Sequence, residues 1–126
     1  MGELTHYCMP VDYITHNGRK ILYVNLQNIK DKPTVLQNLE HMVKAYQETT
    51  VKIYLLLDVR GTFTDPEIMD RLKTYGKNVF NGKSEKRAVL GVDGLKKLLM
   101  KAYVLFTKTE VRACSTEEEA KDYLAS

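Results

Sequence analysis

Apolar positions recur along this chain with two different periods, and each change of period marks an element. Val11–Ile14 and Ile21–Asn25 flank the turn His16-Asn17-Gly18-Arg19. Asn-Gly is the strongest short hairpin signal, because both residues tolerate positive φ. In the second strand Ile21, Tyr23 and Asn25 share one face, and Leu22, Val24 and Leu26 share the other. Both faces are largely apolar, so the strand is expected to be covered on both sides.

The period then becomes helical. Asp31 caps a helix with Pro33 in its first turn, and Val35, Leu36, Leu39, Met42, Val43 and Tyr46 form its apolar stripe up to Thr49-Thr50. Ile53–Leu57 is an unbroken apolar run, which suits a central strand buried on both faces. Asp65-Pro66 repeats the helix-start signal, Ile68, Met69, Leu72 and Tyr75 give the next stripe, and Gly76 is the expected C-cap. Asn78–Glu85 reads as a polar loop and Arg87–Val92 as the next buried strand. Asp93 caps a third helix whose expected core face is Leu95, Leu98, Leu99, Ala102, Tyr103 and Phe106. Val111–Cys114 is a short last strand. Ser115 with Glu118 forms the expected capping box of a final helix anchored by Ala120, Tyr123 and Leu124.

The expected fold class is therefore α/β, a single domain over residues 1–126 in the order β-β-α-β-α-β-α-β-α. The sheet is mixed but mostly parallel, opened by a β-hairpin, with helices packed on it. Right-handed crossovers link the parallel strands.

This order, with LLLDVRGTFTD in the middle, resembles the STAS domain. The C-terminal stretch KRAVLGVDGLKKLLMKAYVLFTKTEVRACSTEEEAKDYLA is similar to the small bacterial SpoIIAA-like proteins, which are grouped with STAS and Sec14-type lipid-binding folds. The resemblance spans Tyr13 to Leu124. It implies a regulatory or protein-interaction module. Antagonists of that family carry an Asp-Ser-Ser/Thr-Gly type motif with a phosphorylated serine. Here Asp65 matches the aspartate, but Pro66 and Glu67 follow and accept no phosphate, so the usual phospho-switch is not expected.

Composition narrows the functional classes. The net charge of +3 is mild and gives no strong nucleic-acid signal. Basic residues do gather in the middle third, among them Arg71, Lys73, Lys77, Lys83, Arg87, Lys96 and Lys101. Solvated helix faces account for such a cluster, and attachment to a membrane surface or nucleic acid is the alternative. No apolar run approaches the roughly 20 residues of a transmembrane helix, and the N-terminus carries no secretion-signal pattern. Cys8 and Cys114 do not make a disulfide framework, so reduced thiols and a cytoplasmic setting are expected.

Candidate chemistry centres on the carboxyl edge of the sheet, where α/β proteins form ligand sites. Asp58 ends a buried strand. Arg60, Thr62, Thr64 and Asp65 would line that edge beside Gly91, Asp93 and Gly94, with helix N-termini favouring an anion. The plainer alternative is that Asp65 and Asp93 only cap helices and that Arg60 pairs with Asp58. His6, His16 and His41 read as surface or edge residues, and His6 with Cys8 supplies only two ligands of the three or four that zinc takes. No catalytic residue, metal site or cofactor is expected. Tyrosines on helix faces, with Met42, Met69 and Met100, would line an apolar pocket if one exists.

Two functions follow. The first is a non-enzymatic regulatory or protein-interaction module of STAS-like type. The alternative is a small-molecule or lipid-binding domain related to Sec14-type folds. The partner would be a protein or a small apolar or anionic ligand, and an exposed helix face or edge strand would support a homodimer.

Overall fold

The Asn17-Gly18 turn reverses the chain as the residue pattern requires. In the computed structural model, which describes residues 10–126, Asn17 (φ 51°) and Gly18 (φ 78°) both lie in the left-handed region. They join β1 (Val11–His16) to β2 (Arg19–Asn25) in antiparallel register, with Val11 opposite Val24 and His16 opposite Arg19. The chain continues through α1 (Lys32–Glu48), β3 (Ile53–Asp58), α2 (Pro66–Tyr75), β4 (Ser84–Leu90), α3 (Gly94–Thr107), β5 (Arg112–Cys114) and α4 (Glu117–Ala125).

The five strands lie in the order β1-β2-β3-β4-β5, and every junction after the hairpin is parallel. This order never reverses. Right-handed crossovers taken repeatedly in one direction put α1, α2 and α3 on the same face of the sheet. Leu22, Val24, Leu26 and Leu55 meet Val35, Leu39, Met42 and Tyr46 on that face. The opposite face is left to α4, whose Ala120 and Leu124 cover Ile21, Leu56, Ala88, Leu90 and Cys114. Each fully buried leucine of these clusters contributes about 2 kcal/mol.

Local chemistry sets most element ends. Asp31 accepts the Thr34 N–H at 3.0 Å to start α1, and Asp65 accepts the Ile68 N–H at 2.8 Å to start α2. Three ends differ from the expectation. Gly76 (φ −57°) is not a left-handed cap; the chain stays helical through a π-helical turn, Gly76–Phe80, which runs into the stretch Asn78–Glu85 expected to be a loop. Burial of Phe80 drives this, since its ring packs 4.6 Å from that of Tyr46. The capping box of α4 sits one residue later: the Thr116 hydroxyl accepts from Glu119 N–H, and the Glu119 carboxylate accepts from Ser115 N–H. Two adjacent hydroxyl residues followed by three glutamates leave that register open in the sequence. Asp93 occupies the N-cap position of α3, but only its carbonyl accepts helix N–H groups, from Lys96 and Lys97.

The face of α3 is the largest correction. Leu95, Leu98 and Phe106, expected in the core, are 53%, 67% and 46% exposed. The helix is apolar almost all round, so periodicity cannot choose its inner side. It packs against α2, and Lys96, Met100, Tyr103 and Thr107 form its inward stripe.

Candidate functional site

The inward stripe of α3 does not close tightly on the sheet. A cavity of about 120 Å³ remains between them. Parallel register aligns its floor, with Leu55 beside Arg87 and Leu57 beside Val89 across β3 and β4. The walls come from Val35, Leu39 and Met42 of α1, and from Ile68, Met69 and Leu72 of α2. Met100 and Tyr103 of α3 form the cover, and Thr62, Phe63 and Thr64 close a further side. Met42, Met69 and Met100, far apart in sequence, meet here. Their flexible thioethers adapt to irregular guests.

Two charged side chains line the cavity, and both are cations. Arg87 is only 5% exposed. Its Nη1 donates to the Tyr103 hydroxyl at 3.3 Å, and its Nη2 donates to Asn81 Oδ1 at 3.4 Å and to the Thr109 hydroxyl. Lys96 is less buried and donates to the Val59 carbonyl at 2.8 Å. Burial raises the Tyr103 phenol above its usual range, against the lowering effect of nearby Arg87. The sequence placed Arg87 in a basic stretch and at the start of a buried strand, without giving it a role in the site. Its position at the head of the apolar run Ala88-Val89-Leu90, in a strand covered on both faces, was the available signal.

The residues expected at the carboxyl edge are distributed differently. Asp58 is fully buried and receives a fork from Arg60, Nε to Oδ1 at 2.9 Å and Nη2 to Oδ2 at 2.6 Å. The Tyr23 hydroxyl donates to the same carboxylate at 3.2 Å. Burial first, then the Asp58 charge, pushes the Tyr23 phenol up to about 12. Arg60 is thus engaged within the fold, and its guanidinium is held protonated above its ordinary range chiefly by the Asp58 hydrogen bond. Its backbone lies against Gly91 (φ 89°), where a Cβ would stand 2.6 Å from Arg60 N.

Thr62 is buried and donates to the Leu26 carbonyl. Asp65 is occupied as a cap and as a partner of Lys32 at 2.8 Å; the Lys32 hydrogen bond leads in holding its carboxyl below the usual range. Asp93 and Gly94 are exposed at the start of α3. Of the six candidate residues, Thr62 and Thr64 line the cavity, and the other four do not. A strand order without reversal also lacks the switch-point crevice that usually receives ligands.

Elsewhere, His16 Nε2 lies 2.9 Å from Asp122 Oδ1, and Glu118 completes a group with ligand atoms within 4.8 Å of one another. This links the hairpin turn to α4. His41 is exposed, and the His6–Cys8 pair lies outside the described residues. Cys114 is a buried free thiol whose pKa is raised by burial. Among the described residues no helix is long and apolar enough to cross a membrane. Comparison with protein-family models, curated proteins and solved structures finds no match.

Proposed function

We propose that this domain is a non-catalytic binding module that takes a small apolar or amphipathic molecule beneath α3. The cavity carries this reading. An apolar guest in this space of about 120 Å³ buries its surface against aliphatic and thioether side chains, which contributes about 25 cal/mol per Å² removed from water. Methionine-rich walls and a thinly packed covering helix suit entry and exit. The resemblance to SpoIIAA-like proteins, grouped with Sec14-type lipid-binding folds, supports the same reading. A cytoplasmic setting suits the free thiol of Cys114. Native mass spectrometry of protein purified from cells is expected to retain a small ligand. Filling the cavity with Val89→Phe is expected to abolish retention. An empty spectrum, together with no response of the cavity methyl groups to 1-octanol, would overturn the proposal.

A second reading rests on the outer face of α3, where Leu98 and Leu105 are 67% and 78% exposed. It is a regulatory, partner-binding module of STAS-like type, working without the usual phosphorylatable serine. Recovery of one protein from cells by the wild type, lost in Leu98→Glu, supports this reading. Recovery unaffected by Leu98→Glu counts against it.

A further inference from the structure

Arg87 is nine-tenths buried in the cavity wall, and every hydrogen-bond partner it has among the described residues is neutral. No described carboxylate lies within 4.0 Å of it, and none lines the cavity. A guanidinium presents five N–H donors in a planar fork. Its three neutral acceptors occupy at most three of them. Burying a cation is unfavourable unless an anion or a full set of hydrogen bonds compensates it. The fold supplies neither, although it solves the same problem at Asp58 with the fork of Arg60. Lys96 adds a second positive charge to the same wall.

Resting on the reading of the cavity as a binding site, we infer that its ligand is an amphipathic monoanion: a carboxylate head against the Arg87 guanidinium and an apolar tail among Met42, Met69 and Met100. The positive charge of Arg87, which has no anionic partner and whose Nε–H and second Nη1–H have no partner among the described residues, favours this head over a hydroxyl or an amine. The cavity is open to solvent on one side, so its volume of about 120 Å³ seats the head and the first carbons of a chain whose end reaches the surface. Tyr103, hydrogen-bonded to Arg87 and carried on α3, couples the occupied head site to the position of that helix.

The test compares octanoate, 1-octanol and octylamine, three chains that differ in the charge of the head, in titrations followed by NMR of the methionine methyl groups. Octanoate is expected to bind at least about tenfold more tightly than 1-octanol, equivalent to about 1.4 kcal/mol, with octylamine weakest. Arg87→Met is expected to erase that advantage while leaving 1-octanol within about twofold of its wild-type affinity. Lys96→Met is expected to keep most of the advantage. A purely structural Arg87 predicts the opposite: Arg87→Met would melt lower than wild type and leave the preference for octanoate intact. If Arg87→Met does not fold, Arg87→Gln, which keeps hydrogen bonding without the charge, makes the same comparison. Equal binding of octanoate and 1-octanol to the wild type overturns the anionic head and leaves the cavity reading standing. No binding by any of the three overturns both. A preference that follows Lys96 overturns the assignment to Arg87.

Discussion

A Cβ on Gly76 would stand 2.6 Å from the Tyr103 hydroxyl, and 2.9 Å from Thr107 Cγ2. The π-helical turn and α3 therefore meet where there is no room for a methyl group. Gly76 has ordinary helical dihedrals, so space and not backbone freedom makes glycine fit. Gly76→Ala gains up to about 1 kcal/mol of helix propensity and loses about 1–3 kcal/mol to overpacking. A net destabilisation is expected, read as a lower urea midpoint, with Tyr103 displaced from Arg87. Gly82→Ala meets nothing within 4 Å and is expected to stay within about 0.5 kcal/mol of wild type.

Asp58 has no exposure to solvent, and Arg60 supplies both arms of its pairing. Arg60→Ala leaves the carboxylate with Tyr23 and the Arg60 backbone N–H. Breaking a buried pair costs about 3–5 kcal/mol, and because the arginine side chain is partly exposed and screened, a loss of about 2–3 kcal/mol is expected. Arg60→Lys recovers only part of it, since an ammonium cannot reproduce the fork. Chemical denaturation of the two variants measures both losses.

Tyr46 gives the fold an alkaline limit. Burial is the leading cause that pushes its phenol up to about 12, from an ordinary value of 10.0. Its folded pKa is thus raised, so the folded state binds more protons between these values. The contribution is fully present below pH 10 and is lost as pH rises towards 12. The loss amounts to about 3 kcal/mol at most. Denaturation midpoints across that window are expected to fall less steeply for Tyr46→Phe than for wild type.

The outer face of α3 carries little of the folding energy. Leu98 and Leu105 are 67% and 78% exposed, so Leu98→Glu and Leu105→Glu are each expected to change stability by less than about 0.5 kcal/mol. Leu56→Ala, in the fully buried core, is expected to cost about 2–5 kcal/mol. Thermal melts of the three variants measure the contrast. A large loss for Leu98→Glu would turn α3 round and place its leucines in the core.

The residue pattern alone determined the element order, the hairpin, the mostly parallel sheet and the caps at Asp31 and Asp65. Those features depend on neighbours within a few residues: Asn-Gly for the turn, Asp followed by proline for a helix start, an unbroken apolar run for Ile53–Leu57. The pairing of Arg60 with Asp58 was also legible as one alternative, because only Val59 stands between them. Tertiary structure decided which side of α3 faces inward, since Leu95, Leu98, Leu99 and Phe106 give that helix apolar character in several directions at once. Only strand register brings Arg87 beside Leu55, and only the close approach at Gly76 seats Tyr103 over the cavity. A local pattern specifies what one segment can bury; it does not specify the partner against which it is buried, and the cavity is made of partners.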